Sequence, residues 1–347
     1  MKQTGYLQWA INNTKTVWWH DSAEPSELAR GIQRGAIGAT TNPFLTHLAL
    51  FKNRDKWSKQ IDSVLSKDLE PEQRAEELMG IVITHAAHQL EPEHKKSNGR
   101  MGYVCAQVNP ARAADRECML PMARRFGAWA PNIAVKLPAT AAGLDVLEDC
   151  TAEGITATLT ISFTVPQVIA IAQRHRRGIQ RARKNGVEGG KCFAVIMIGR
   201  LDDYLRDVAH DYEADISESD IRLAGLAVSK RAYSIYKERE YEAVLIVAAL
   251  RGAYHMTELA GAELIMSIAP PYQEILLSEH LPCEERIDLE IPSDVLERLS
   301  TLPEFMRAYE PHGMTPQEFI TYGVTQKTLS QFYEIGWKRL ENFQDSG

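Results

Sequence analysis

Eight short apolar segments alternate along the chain with amphipathic stretches, and this alternation constrains the fold more than any other feature. The segments span residues 16–20, 36–41, 103–108, 133–138, 155–161, 192–198, 243–248 and 263–268. Helix signals lie between them, such as Ser22, Glu24 and Pro25, or Pro110 ahead of ARAADRECMLPMARRFGAWA. Strands separated by helices do not form hairpins; they pair in parallel through right-handed crossovers. Eight such units predict an α/β fold of the (β/α)8 TIM-barrel type. A doubly wound open sheet is the competing arrangement.

At roughly 150 residues per domain, a chain of 347 residues would hold two domains, but such barrels often exceed about 250 residues as one unit. We therefore expect a barrel over residues 1–283 and a C-terminal helical extension over residues 284–347, packed on the barrel. Helix starts in the extension are expected at Pro292 and Ser293, and at Thr315 and Pro316.

Composition narrows the function classes. With 44% hydrophobic and 24% charged residues the chain is neither disordered nor a disulfide scaffold. A net charge of −7 gives no general basis for nucleic-acid binding, and the one basic run, residues 174–184, lacks interleaved aromatics and reads as a solvated helix face. The first fifteen residues contain no apolar leader. The long uncharged stretch 154–173 carries Thr, Ser, Pro and Gln, so it reads as strand, turn and helix start rather than a membrane span. Five scattered cysteines without CxxC spacing fit reduced thiols, and a cytoplasmic location is expected. There is no Walker loop and no GxGxxG; His85 and His88 lack a carboxylate at metalloprotease spacing. Neither metal nor cofactor is expected, and neither a nucleic-acid nor a membrane partner.

Strand periodicity sorts side chains into an outer face against helices and an inner face that can carry chemistry. Ile133, Val135 and Leu137 share one face, which leaves Lys136 on the other. Ile155, Ala157, Leu159 and Ile161 oppose Thr156, Thr158, Thr160 and Ser162. Val104, Ala106 and Val108 face outward, so Gln107 faces inward. Asp21 shares a face with Val17 and Trp19, and Asn42 follows the second strand. A charged, unpaired lysine in an apolar strand costs several kcal/mol. Two readings of Lys136 follow: an amine nucleophile that forms a Schiff base, or a structural ion pair with Asp21.

These segments together resemble the transaldolase family of Schiff-base aldolases. GATTNPFL is similar to the family's TTNPSL segment, and IAVKLPATAAGLDVLEDCTAEGITATLTISFT to its Schiff-base strand, helix and next strand. IMIGRLDD resembles its GR segment, and AALRGAYHMTELAGAELIMSIAP its seventh and eighth units. The match runs in order over about residues 16–275 and leaves out the extension. It implies a barrel that moves a three-carbon ketone unit between sugar phosphates, in the pentose phosphate pathway or a specialised one. It places Lys136 at the Schiff-base lysine, Asp21 at the acid/base aspartate and Asn42 at the donor-binding asparagine. Thr160 falls on the threonine that helps hold the catalytic water, and Arg200 and Arg251 on the two arginines that grip phosphate.

The departures are as informative. Gln107 stands where transaldolases proper carry a water-activating glutamate; a Gln is found in the fructose-6-phosphate aldolase-like branch, which carries Tyr where this chain has Met197. Thr158 replaces an asparagine near the donor hydroxyls, and Val195 and Ala249 replace serines. The expected activity is a transaldolase-type transfer between small sugar phosphates. A lyase that releases the ketone, a changed donor and a non-catalytic barrel are the alternatives. A homo-oligomer is compatible with the sequence.

Overall fold

In the computed structural model, which describes residues 5–278 and 280–344, eight parallel strands close into a barrel in chain order. A short helix, α1 (Tyr6–Asn13), precedes β1 (Val17–Asp21) and α2 (Pro25–Gln33). Next come β2 (Gly38–Thr40), three helices, α3 (Pro43–Lys52), α4 (Arg54–Leu65) and α5 (Pro71–Lys96), and β3 (Tyr103–Gln107). The chain continues through α6 (Arg116–Gly127), β4 (Ile133–Pro138), α7 (Ala141–Ala152), β5 (Ala157–Thr160) and α8 (Val165–Lys184). β6 (Cys192–Met197) leads into α9 (Ile198–Asp211) and α10 (Glu218–Glu238). β7 (Val244–Ala248) precedes α11 (Ala253–Thr257), and β8 (Ile265–Ile268) precedes α12 (Pro270–Ser278). The extension contributes α13 (Ser293–Leu299), α14 (Pro303–Tyr309), α15 (Gly323–Phe332) and α16 (Lys338–Glu341), with a π-helical turn, Tyr333–Trp337, between the last two. Every strand falls inside or within one residue of its expected segment.

The strand-to-helix turns are built from local chemistry. Pro25, Pro43 and Pro166 sit in the first helical turns, where a missing N–H costs nothing. Asn42, Thr140 and Thr164 cap α3, α7 and α8 by accepting a backbone N–H three residues on. Two expected helix starts are corrected. Pro110 opens only a single 3-10 turn, Pro110–Arg112, and α6 starts at Arg116, where Asp115 supplies the cap. Thr315 and Pro316 open no α-helix either: Thr315 closes a local turn by donating through N and Oγ1 to Glu318 Oε2 at 2.8 and 2.7 Å, and the helix waits until Gly323.

Inside the barrel, Trp19, Tyr103 and Phe193 pack edge to face, with centroids 4.7 Å apart for Trp19–Phe193 and 5.5 Å for Tyr103–Phe193. Gly38 faces the same space; a Cβ there would lie 2.5 Å from the Trp19 indole. This aromatic floor leaves the C-terminal strand ends for polar groups. The extension wraps the outside: α13 and α14 lie against α10, α15 against α9, and α16 against α3 and α5. Its Phe305, Phe319, Tyr322, Trp337 and Leu340 are buried in the same continuous core as the barrel. Three arginines of the basic run on α8 are ion-paired, Arg174 with Asp145, Arg176 with Glu242, and Arg181 with Glu148 and Asp149. No described helix is long and apolar enough to cross a membrane.

Candidate active site

The register sets the inner wall. Gln107 lies opposite Lys136, Lys136 opposite Thr158, and Pro138 opposite Thr160, while Asp21 lies opposite Thr40. All of these sit at or near the C-terminal ends of β1 to β5, the face on which such barrels carry chemistry. Lys136 is only 7% exposed. Its Nζ donates to the carbonyl oxygen of Thr41, at 3.0 Å, in the turn between β2 and α3. It forms no ion pair with Asp21. That carboxylate is instead held by Thr40, whose hydroxyl donates to Oδ1 at 2.7 Å and accepts from Ser267 Oγ at 2.5 Å. Burial pushes the Asp21 carboxyl above the usual range, opposed by the Thr40 hydrogen bond and the Lys136 charge.

Gln107 is buried, and its side-chain oxygen has no hydrogen-bond partner among the described residues. An unpaired buried acceptor is costly, so it is suited to receive a proton donor from a bound molecule or water. Thr160 is buried, and its hydroxyl reaches Met197 Sδ at 3.8 Å. Thr158, opposite Lys136, accepts from Cys105 Sγ at 3.5 Å. Asn42 spends its side-chain oxygen capping α3, on Leu45 N at 2.9 Å; its amide N–H groups are the part left for a ligand.

Just past Thr160 the backbone turns sharply. Ile161 has φ of 56°, a left-handed conformation that costs a β-branched residue about 1–3 kcal/mol. The wholly buried Gln167 holds this turn. Its Nε2 donates to the carbonyls of Ile161 and Ala139, and its Oε1 accepts from Phe163 N and Thr164 Oγ1.

Arg200 stands in the first turn of α9, and Arg251 in the loop after β7. Arg251 is neutralised by Asp203, through Nε at 3.0 Å and Nη2 at 2.7 Å. Arg200 is not: its Nη1 donates to Gln331 Oε1 at 2.6 Å, and its guanidinium lies 5.1 Å from the Phe332 ring centre. Burial, and then the charge of Arg251, pull Arg200 down to about 10, against the pull of Asp203. A wholly buried pair, His255 and Asp202, ties α9, which carries Arg200, to the loop that carries Arg251.

Strand periodicity places Gln107, Lys136, Thr158 and Thr160 on the wall where the structure has them, whereas the residues that support this wall and the two arginines were not among those expected. Thr40 and Ser267 were readable, since each is a polar residue on an inward strand position. Gln331, Phe332, Asp202 and His255 carry no local signal, because their partners lie 53 to 132 positions away.

A family profile described as Transaldolase/Fructose-6-phosphate aldolase matches residues 18–334. A transaldolase of Neisseria meningitidis is 27% identical over 245 residues, which cover 69% of this chain and 65% of that protein. The chain thus spans slightly under two thirds of that relative's length. A transaldolase of Thiobacillus denitrificans is 26% identical over 333 residues, covering 92% of this chain and 91% of its own. Transaldolase 1 of Streptomyces avermitilis is 24% identical over 320 residues, 89% of this chain and 80% of its own.

Proposed function

The chain belongs to the transaldolase/fructose-6-phosphate aldolase family, and we propose that it is a cofactor-free transferase that moves a three-carbon ketone unit from a ketose phosphate to an aldose phosphate. One observation carries the reading: Lys136 is buried in the inner wall with a carbonyl as its only hydrogen-bond partner among the described residues, while the nearby Asp21 is held separately by Thr40. A structural ion pair would have joined the two. Keeping a lysine and a carboxylate in one wall without joining them costs stability, and separates a nucleophile from a base.

The chemistry follows from the placement. The Lys136 amine adds to the ketose carbonyl, and loss of water gives an iminium that draws electrons from the adjacent carbon–carbon bond. Asp21 takes the proton from the hydroxyl on the carbon to be released, and the bond breaks to an enamine and a free aldehyde. A second aldehyde then accepts the enamine carbon, and its new alkoxide regains the proton from Asp21. Water hydrolyses the iminium and frees Lys136. Gln107 and Thr160 hold that water, and Gln107, as an amide, positions it without accepting its proton. Thr158 and the Asn42 amide contact the donor, and Arg200 and Arg251 bind the phosphate.

A lyase is the second reading, favoured by Gln107, since an amide at this place resembles the fructose-6-phosphate aldolase-like branch. Met197 counts against it: a thioether occupies the Thr160 hydroxyl where that branch carries a phenol. Borohydride trapping with fructose 6-phosphate or dihydroxyacetone, read by peptide mass spectrometry, tests the Schiff base. An adduct on Lys136 that Lys136→Ala abolishes is expected; an adduct that survives in the variant overturns the assignment. Donor turnover that needs no aldose phosphate would assign the protein to the lyases.

A further inference from the structure

Arg200 has no ion-pair partner among the described residues, and what holds it comes from the far end of the chain. Its one side-chain hydrogen bond among the described residues is to the Gln331 amide, and one face of its guanidinium is covered by Phe332. Both residues close the last turn of α15. The helix is fixed along α9 by a second contact, Lys327 Nζ to Asp207 Oδ2 at 2.8 Å. Beyond it, the π-helical turn packs so tightly on the start of α3 that a Cβ at Gly336 would meet Phe44 N at 2.7 Å. Trp337 is wholly buried in that turn.

The chemistry of this clamp is specific. Gln331 accepts from one guanidinium nitrogen and brings no charge, so it orients Arg200 without neutralising it. Phe332 restrains the plane of the fork. Asp203, the carboxylate that acts on Arg200, accepts its hydrogen bonds from Arg251 and Arg206 instead. The remaining N–H groups of Arg200 have no acceptor among the described residues. A guanidinium that is oriented in advance and left unneutralised is what binding an oxyanion requires.

We propose that Gln331 and Phe332 are positioning residues for Arg200, so that the C-terminal extension completes the phosphate subsite. The inference rests on the phosphate role of Arg200 in the reading above. A glutamate at position 331 separates it from a merely structural contact. A carboxylate is the stronger hydrogen-bond acceptor and would preserve or strengthen the clamp, but it would neutralise Arg200 and compete with an anion.

The test is calorimetric binding of inorganic phosphate to the full chain, with steady-state kinetics on a phosphorylated aldose acceptor. Gln331 is exposed, so its variants are expected to fold as wild type. Arg200→Ala and Gln331→Ala should each weaken phosphate, and Gln331→Glu should weaken it by about tenfold or more, the scale of a charge-assisted hydrogen bond. KM for the acceptor should rise in step while kcat holds, and Phe332→Leu should shift it the same way. If Gln331→Glu binds phosphate like wild type while Arg200→Ala does not, the positioning role is overturned and the phosphate reading of Arg200 survives. If Arg200→Ala also binds normally, both fall.

Discussion

His255 donates from Nε2 to Asp202 Oδ2 at 2.9 Å, with both side chains wholly buried. The ring's other nitrogen accepts from the backbone N–H of Arg251 at 3.2 Å, which fixes the tautomer, since a backbone N–H only donates. Asp202 is completed by Gly225 N at 2.8 Å. One buried pair thus ties α9, which carries Arg200, to the loop that carries Arg251. His255→Ala leaves a buried carboxylate unpaired and should lower unfolding stability by about 3 kcal/mol. The half-exposed Asp203–Arg251 pair should matter far less: Asp203→Ala should cost under about 1 kcal/mol. Urea unfolding of the two variants side by side checks the contrast, and equal losses would refute it.

The aromatic floor makes a second prediction about stability alone. Gly38→Ala puts a methyl 2.5 Å from the Trp19 ring, where β2 cannot move without breaking its pairing with β1 and β3. Overpacking of this kind costs about 1–3 kcal/mol. Gly80, inside α5, is the matched control, because a Cβ there meets only Trp129 at ordinary contact distance. Gly80→Ala should therefore gain about 0.5–1 kcal/mol. Thermal melts moving in opposite directions are the expected result.

Much of this was legible because barrel strands obey a period of two. Lys136 stands out as the one charge in IAVKLP, and its alternation with Val135 and Leu137 is enough to turn it inward. Gln107, Thr158 and Thr160 follow by the same rule, and Asp21 by its place at the end of β1. The separation of Lys136 from Asp21 was not legible. It depends on Thr40 and Ser267 reaching across from β2 and β8, and pairing across a closed barrel leaves no mark in spacing. The clamp on Arg200 was hidden for the same reason, since Gln331 sits on an exposed helix end where glutamine is unremarkable. The expected helix at Thr315 and Pro316 failed because a Thr–Glu pair three apart closes a turn as readily as it caps a helix.

Gln107 gives a prediction about rate. If proton removal from the hydrolytic water limits turnover, Gln107→Glu restores a base beside Lys136 and should raise kcat for donor and acceptor together by about tenfold or more, within the range of general base catalysis. Steady-state kinetics at saturating acceptor measures it. An unchanged kcat would remove the water from the role assigned to Gln107.

Asp21 links activity to stability through pH. Burial raises its folded pKa above that of the unfolded chain, so the folded protein binds this proton more tightly than the unfolded one. Stability from this group is therefore present in acid, is lost as pH rises from the unfolded value of about 3.9 through the raised folded value, and stays lost at neutral pH. Asp21→Asn mimics the neutral acid and should melt higher than wild type at pH 7, with the gain vanishing towards pH 3. Activity should move the other way. Carbon–carbon cleavage needs the carboxylate, so the wild-type rate should climb on an acid limb shifted above that of an exposed aspartate, and Asp21→Asn should lose the limb and about 10²–10⁴ in rate. Borohydride trapping on Lys136 should survive in Asp21→Asn, because imine formation precedes the step that this carboxylate serves. A variant that loses trapping as well, or that melts lower than wild type at neutral pH, would place Asp21 in the support of Lys136 rather than in proton transfer.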